Sequence, residues 1–151
     1  MKSLKLTLQG RPTTKKNSPR VVRMGGFTKV LPSKAYEDYE KGCLWQLMRY
    51  KHQSFSTPVH LKCLYYMPDK RAYPDLQGLL QATADILEKA RIIENDRLIV
   101  IHDGSRIAGL DKNNPRVEIE IVEMPADDIS YSIDPYLIKQ RKAKSAVSLF
   151  G

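Results

Sequence analysis

The sequence has few of the residues on which most enzyme classes rely. Its two cysteines, Cys43 and Cys63, are twenty residues apart and lack the close spacing of a zinc site or a disulfide framework. There is no phosphate-binding glycine loop, no GxGxxG fingerprint and no nucleophile-elbow serine. Both cysteines fall on apolar positions, which favours buried thiols. The histidines, His52, His60 and His102, are scattered, and no role is assigned to them.

Long apolar runs are also missing. No stretch approaches the roughly 18 residues that a membrane-spanning helix needs. The first ten residues alternate polar and apolar side chains, unlike the continuous apolar stretch of a signal peptide. We therefore expect a cytoplasmic protein with no membrane partner. A length of 151 residues, with 42% hydrophobic and 28% charged residues, is typical of one globular domain.

Acidic residues are absent from one long stretch of the chain. Segment 11–34 contains seven lysines and arginines and no aspartate or glutamate. Residues 1–75 carry a formal charge of +10, whereas residues 76–151 carry −2. A one-sided basic field attracts a polyanion, and nucleic acid is the commonest one. The alternative is a solvated basic face that binds nothing.

Apolar periodicity predicts elements in the order β-α-β-α-β-β. Alternation predicts strands over residues 2–9, 58–67 and 117–121, and helical spacing predicts helices over 33–51 and 76–90. The aromatic residues on the first helix are interpreted as core. A near-continuous apolar start predicts that a strand over 97–107 is central in the sheet. The glycine- and proline-rich stretch 10–27 predicts a long basic loop.

This order of elements predicts an α/β (α+β) two-layer sandwich. We expect a mixed sheet of about four strands with two helices packed on one face. One domain is expected over residues 1–125. After Pro125 the periodicity ends, and residues 126–151 are expected to form a C-terminal basic tail that is not an independent domain.

Acidic turns flank the second predicted helix. Asp75 comes directly before the helix and Asp96 follows its end, with Lys70 and Arg71 close to the first turn. Carboxylates can hold a magnesium ion that activates water and neutralises a phosphate group. A helix of this length spans about 15–22 Å, so both acids reach one ion only if the chain after residue 90 folds back, or if a second subunit contributes. For Asp75 the alternative is a helix cap.

Several short motifs follow one another along residues 1–125. They are Gly10-Arg11-Pro12, Lys15-Lys16-Asn17, residues 67–71 (Met-Pro-Asp-Lys-Arg), Asp75-Leu76, Asp85, Asp96 and the closing strand 117–124. In this order they resemble the RusA-type Holliday junction resolvases, a family of endonucleases often carried by prophages. The resemblance implies a homodimer that binds four-way DNA junctions and cuts paired strands with Mg²⁺, without a small-molecule cofactor.

The resemblance also implies roles for individual residues. Asp75 and Asp96 take the positions of the family's first and last catalytic aspartates and would be metal ligands, and Asp85 is a further catalytic candidate. DNA contacts are implied for residues of the two basic loops: Lys15, Lys16, Asn17, Arg20, Lys70 and Arg71. For Asp85 the alternative is an exposed helix acid without a function.

Four positions depart from the family pattern. They replace, in order, its second aspartate, an asparagine, a lysine and the first acid of an Asp-Asp pair: Gln77, Gly78, Gln81 and Asn95. Glutamine offers a carbonyl oxygen to magnesium but no charge.

Two main hypotheses follow from these departures. The chain either cuts DNA with a rearranged site that recruits Asp69, Asp85 or Glu94, or it is a catalytically weakened or inactive relative that binds branched DNA without cutting. A third hypothesis, an RNA-binding or structural phage protein, rests on net charge alone.

Overall fold

The computed structural model describes residues 2–15, 20–71 and 73–128. Within these ranges the chain forms seven strands and two α-helices. The strands are β1 (Ser3–Gln9), β2 (Arg20–Met24), β3 (Phe27–Leu31), β4 (Val59–Met67), β5 (Ile99–Ile101), β6 (Arg106–Leu110) and β7 (Arg116–Glu123). The helices are α1 (Lys34–Leu47) and α2 (Leu76–Lys89), and short 3₁₀ turns cover Met48–Tyr50 and Asp96–Leu98.

Five strands form one mixed sheet. β7 lies between β1 and β4 and is antiparallel to both. β5 and β6 pair in parallel with the beginning and the end of β4, respectively, so they lie end to end along its other side. With two helices and a mixed sheet, the predicted fold class is confirmed.

Strict alternation buries one face of this sheet. Every second residue of β1, β4 and β7 is buried, and these residues pack with apolar side chains of α1 and α2 in a single core. Burial of each such leucine, isoleucine or valine side chain contributes about 1.5–3 kcal/mol. Ser33 caps α1 by accepting a hydrogen bond from the Tyr36 backbone N–H at 3.1 Å. The helices are therefore fixed to the sheet by the face that the sequence predicts.

The prediction of one central strand over residues 97–107 is wrong. The segment forms two short strands at the sheet edge, because the chain turns at residues 102–105 with Gly104 at φ +84°. Its apolar residues are explained differently, since Leu98 is buried in the core and Ile99 and Val100 pack against it. A continuous apolar run therefore reflects contact with the core here, not a central position.

The prediction of a loop throughout residues 10–27 is also wrong in its second half. β2 and β3 pair as a separate antiparallel hairpin. Its two-residue turn is Gly25-Gly26, whose φ angles of 53° and 92° fit the left-handed positions of a type I′ turn. The hairpin base is tied to α1 by an ion pair of 2.7 Å between Arg20 and Glu37. A Gly-Gly pair between two β-prone runs is a hairpin signal that the sequence does contain.

Two further predictions concern the chain's environment and its end. Among the described residues, no helix is long and apolar enough to cross a membrane. Most of the predicted tail, residues 129–151, lies outside the described residues.

Candidate active site

The N-terminus of α2 carries the first predicted catalytic acid. Asp75 has the backbone geometry of an N-cap residue, but its side chain makes no capping hydrogen bond. Its carboxylate lies against Gly78, where an added Cβ atom would meet Asp75 Oδ1 at 2.7 Å and Thr14 Cγ2 at 3.3 Å. Gly78 stands where the family pattern has an asparagine. Because it has no side chain, the Asp75 carboxylate and the buried Thr14 can pack against the first turn of α2.

At the other end of α2 a left-handed residue reverses the chain. Arg91 has a φ of 58°, and its N–H donates to Glu88 O at 3.0 Å while the N–H of Ile92 donates to Leu87 O at 3.0 Å. These bonds define a Schellman motif, which usually has glycine at the left-handed position. Because arginine occupies that position, the sequence gives little sign of the reversal.

The returning segment is anchored before it reaches Asp96. Ile92 and Ile93 are fully buried, and Phe55 exchanges backbone hydrogen bonds of 2.8 and 3.0 Å with Ile92 and Glu94. Asn95 caps the following 3₁₀ turn by accepting from the Arg97 N–H at 2.9 Å. The asparagine that departs from the family's Asp-Asp pair thus holds the turn that presents Asp96.

The reversal places Asp96 beside α2, where its backbone N–H donates to Glu88 Oε1 at 3.1 Å. A cavity of about 260 Å³ is lined by α2 residues and by the returning chain: Gln77, Leu80, Gln81, Ala84, Asp96, Ile99 and His102. The chain after residue 90 therefore folds back along α2, but this fold does not bring Asp75 and Asp96 into one cavity. Asp75 is not among the residues that line this cavity.

Asp85 belongs to a polar cluster on the same helix. Its Oδ2 is 3.1 Å from Lys15 Nζ, and its Oδ1 accepts from Gln81 Nε2 at 3.0 Å. The Asp85 side chain is 22% exposed, so the alternative of an exposed acid does not describe it. The bond to Asp85 uses the amide nitrogen of Gln81, and the carbonyl oxygen is the atom of that side chain suited to a cation.

The predicted DNA-binding residues lie in different surroundings. Lys15 and Arg20 are engaged in ion pairs with Asp85 and Glu37. Lys70 and Arg71 are exposed, in a turn where Asp69 accepts from the Arg71 N–H at 2.8 Å.

The two basic loops are linked. Arg11 Nη2 donates to Arg71 O at 3.5 Å, so the N-terminal loop contacts the turn at residues 69–71. Lys16 and Asn17 lie outside the described residues.

The donor atoms of the cavity differ from the predicted carboxylate centre. Within the ranges that the structure describes, no three His, Cys, Asp or Glu residues form a group that could hold a metal ion. The cavity offers one carboxylate, one imidazole and two amides. Both cysteines are buried and free, as predicted, and burial raises the pKa of Cys43 to about 11 and that of Cys63 to about 12. Neither thiol lines the cavity, and both lie in the apolar core.

No pattern in the sequence distinguishes His102 from the other two histidines. His102 lines the same cavity as Asp96, and its Nδ1 is 2.9 Å from the backbone oxygen of Leu61. The position is set by the turn that separates β5 from β6, which periodicity did not reveal. Only the fold brings this histidine to the helix face that carries Gln77 and Gln81.

The molecule is an α+β domain with a basic N-terminal half, which suits a polyanion such as nucleic acid, and a polar cavity at Asp96. The model of the family Endodeoxyribonuclease RusA matches residues 9–122. The chain therefore belongs to the RusA endodeoxyribonuclease family. It is 28% identical over 100 residues to the crossover junction endodeoxyribonuclease RusA of Aquifex aeolicus (strain VF5), an alignment that covers 66% of this chain and 76% of that protein.

Family membership confirms the resemblance found in the sequence. It supports the function of a Holliday junction-resolving endonuclease, and it implies branched DNA as the substrate. Resolvases of this family are in general metal-dependent nucleases.

Proposed function

We propose that this protein is a Mg²⁺-dependent, structure-selective endonuclease that resolves four-way DNA junctions in recombination and repair. The observation that carries the proposal is the return of the chain after α2, which sets Asp96 opposite Gln77 and Gln81 in one cavity. We propose a cytoplasmic homodimer as the working form, because a four-way junction requires two symmetric cuts.

The residues of the cavity suit the binding of one divalent cation. The Asp96 carboxylate supplies a charged ligand, and the glutamine carbonyl oxygens supply neutral ones. When bound, the cation would lower the pKa of a coordinated water and neutralise charge on the phosphate. Ile99, Leu80 and Ala84 supply the apolar part of the cavity lining.

A rearranged site is supported by the Lys15–Asp85 pair. Lys15 Nζ and Gln81 Nε2 both donate to the Asp85 carboxylate. The positive charge of Lys15 is therefore separated from the side chain at position 81 only by that carboxylate. The family pattern places a lysine at that position. We propose that Lys15 supplies this charge from the N-terminal loop and that Asp85 positions it, in place of acting as a metal ligand.

The DNA surface is proposed to extend over both basic loops and the β2–β3 hairpin. Arg23 and Lys29 are exposed on the hairpin, and near its tip Phe27 is 67% exposed and Met24 51% exposed. Apolar side chains rimmed by basic residues suit a DNA whose bases are already partly unstacked, as at a branch point. Arg71 extends the surface from the other loop.

The test is cleavage of a synthetic four-way junction. An end-labelled junction and a linear duplex of the same sequence are incubated with the protein and with Mg²⁺ or EDTA. We expect paired nicks in the junction only, dependent on Mg²⁺ and lost in Asp96→Asn. Absence of nicks at high protein concentration, with junction binding intact, would contradict the catalytic proposal.

A second candidate function is binding of branched DNA without cutting. It is favoured by Gln77, which leaves Asp96 as the one carboxylate among the cavity residues that the structure describes. In that case Asp75→Asn leaves junction affinity unchanged or raises it, because a repelling charge is removed. The affinity would fall with salt as phosphate contacts require. A strong loss of binding in Asp75→Asn counts against this candidate.

A further inference from the structure

The imidazole of His102 is a cavity group to which the proposed function gives no role. The residue directly follows β5 and is half-buried. It lines the same cavity as Asp96 and the two glutamines, which lie on the facing side of α2. The cavity therefore contains an imidazole nitrogen from a residue that was not among the predicted site residues.

The hydrogen bond of His102 fixes the arrangement of protons on its ring. The oxygen of Leu61 can only accept, so the Nδ1 atom 2.9 Å away carries a hydrogen. In the neutral ring the lone pair is then on Nε2. Metal-binding histidines commonly show this arrangement, in which one ring nitrogen donates to a backbone carbonyl and the other binds the ion.

His60 provides a contrast within the same part of the sheet. This half-buried residue of β4 has its Nε2 2.7 Å from the backbone oxygen of Asp103, the residue after His102. Its Nε2 is therefore the protonated atom, and its side chain does not line the cavity. Both histidines hydrogen-bond to a backbone oxygen, but only His102 lines the cavity that contains Asp96.

We propose that His102 is a ligand of the divalent cation in this cavity, and that its nitrogen makes the site bind Mn²⁺ more tightly than Mg²⁺, while Mg²⁺ still supports cleavage. Mg²⁺ prefers oxygen ligands throughout, whereas first-row transition metals accept imidazole readily. With glutamine at position 77, the cavity lacks a second carboxylate that would favour Mg²⁺. The inference rests on the proposed function, since it concerns the cation of the same site.

The test is spin-echo spectroscopy of the protein loaded with Mn²⁺, which detects a coordinated imidazole nitrogen. Wild type is expected to show nitrogen modulations. His102→Asn is the informative variant, because its amide can still donate to Leu61 O while the metal-facing nitrogen is removed. We expect it to lose the modulations and to bind Mn²⁺ about tenfold more weakly or worse, with Mg²⁺ affinity changed less.

The matched control is His60→Gln, whose amide can keep the bond to Asp103 O. It is expected to retain both the modulations and the Mn²⁺ affinity. Thermal melting checks that both variants fold, and His102→Gln serves as a second variant if the asparagine variant does not. Wild type that binds Mn²⁺ without nitrogen modulations, or binds none, overturns the inference, as do modulations that persist in both His102 variants.

Junction cleavage by wild type in Mg²⁺ separates this inference from the function on which it rests. Cleavage in Mg²⁺ without nitrogen coordination of Mn²⁺ contradicts the role of His102 and still supports the proposed nuclease activity. Nitrogen-coordinated Mn²⁺ without cleavage in either metal supports the ligand and contradicts the nuclease.

Discussion

The two aspartates that flank α2 have different surroundings. Asp75 lies against Gly78 and Thr14 at the first turn of the helix. Asp96 lies in a cavity that faces Gln77 and is reached only after the chain reverses. Two acids that are equivalent in a sequence motif can therefore lie in different environments, because of the two only Asp96 lines the cavity that also contains His102, Gln77 and Gln81.

The largest effect is expected from Asp96→Asn. The change removes the proposed charged ligand of the cation, so junction cleavage should fall about 1000-fold or more, equivalent to about 4 kcal/mol. Mn²⁺ affinity should fall with it, and Asp75→Asn should leave that affinity within about threefold of wild type. Isothermal titration of both variants provides the measurement. A larger loss of Mn²⁺ affinity in Asp75→Asn would reverse the assignment of the two acids.

Gln77→Asp is expected to act in the opposite direction. It adds a second carboxylate to the cavity, which should tighten Mg²⁺ binding about tenfold, equivalent to about 1.4 kcal/mol. The ratio of the Mn²⁺ affinity to the Mg²⁺ affinity should fall at the same time. Competition titration with both metals measures the change, and Gln53→Asp, at an exposed residue far along the chain from α2, is the charge-matched control. Unchanged Mg²⁺ affinity would place position 77 outside the metal site.

Gly78→Ala is expected to disturb the surroundings of Asp75 and to leave those of Asp96 unchanged. The new Cβ displaces the Asp75 carboxylate and crowds Thr14. Because the resemblance to the family implies a catalytic role for Asp75, cleavage should fall about tenfold, whereas Mn²⁺ affinity should stay unchanged. Gly42→Ala is the matched control, because a Cβ at that α1 glycine meets no atom within 4 Å. Loss of Mn²⁺ affinity in the Gly78 variant alone would show that Asp75 does contribute to the cavity.

The smallest effect is expected from Arg91→Gly at the reversal. Glycine relieves the left-handed conformation, which costs other residues roughly 1–2 kcal/mol, but it also raises the entropy of the unfolded chain. The net gain in the free energy of unfolding should be about 1 kcal/mol or less. Chemical denaturation measures it, and Arg91→Ala should be no more stable than wild type. A destabilised glycine variant would mean that the arginine side chain, and not the backbone, holds the reversal.

Much of the fold was predictable because alternation and helical spacing report directly on burial. The strands β1, β4 and β7 and both helices follow from such patterns. The prediction of a loop over residues 10–27 overlooks the hairpin, although Gly25-Gly26 signals it, since proline and charge in the neighbouring residues favour a loop. The prediction of a central strand over residues 97–107 is wrong because an apolar run does not distinguish a central strand from an edge strand in contact with the core.

The candidate site was predictable only in part. Asp75 and Asp96 stand out as acids at turns, but the path between them depends on Arg91 in a conformation that the sequence does not mark. Lys15 and Asp85 meet across a separation of seventy residues in the chain. The position of His102 follows from a turn at the sheet edge, so no local pattern identifies it.

The most direct test of the site is a crystal structure of the protein with Mn²⁺, located by its anomalous scattering. We expect a peak in the cavity, in direct coordination to the Asp96 carboxylate and the His102 imidazole. A peak bound to Asp75 and away from the cavity, or no peak at saturating Mn²⁺, would contradict the proposal that the reversal after α2 builds the metal site.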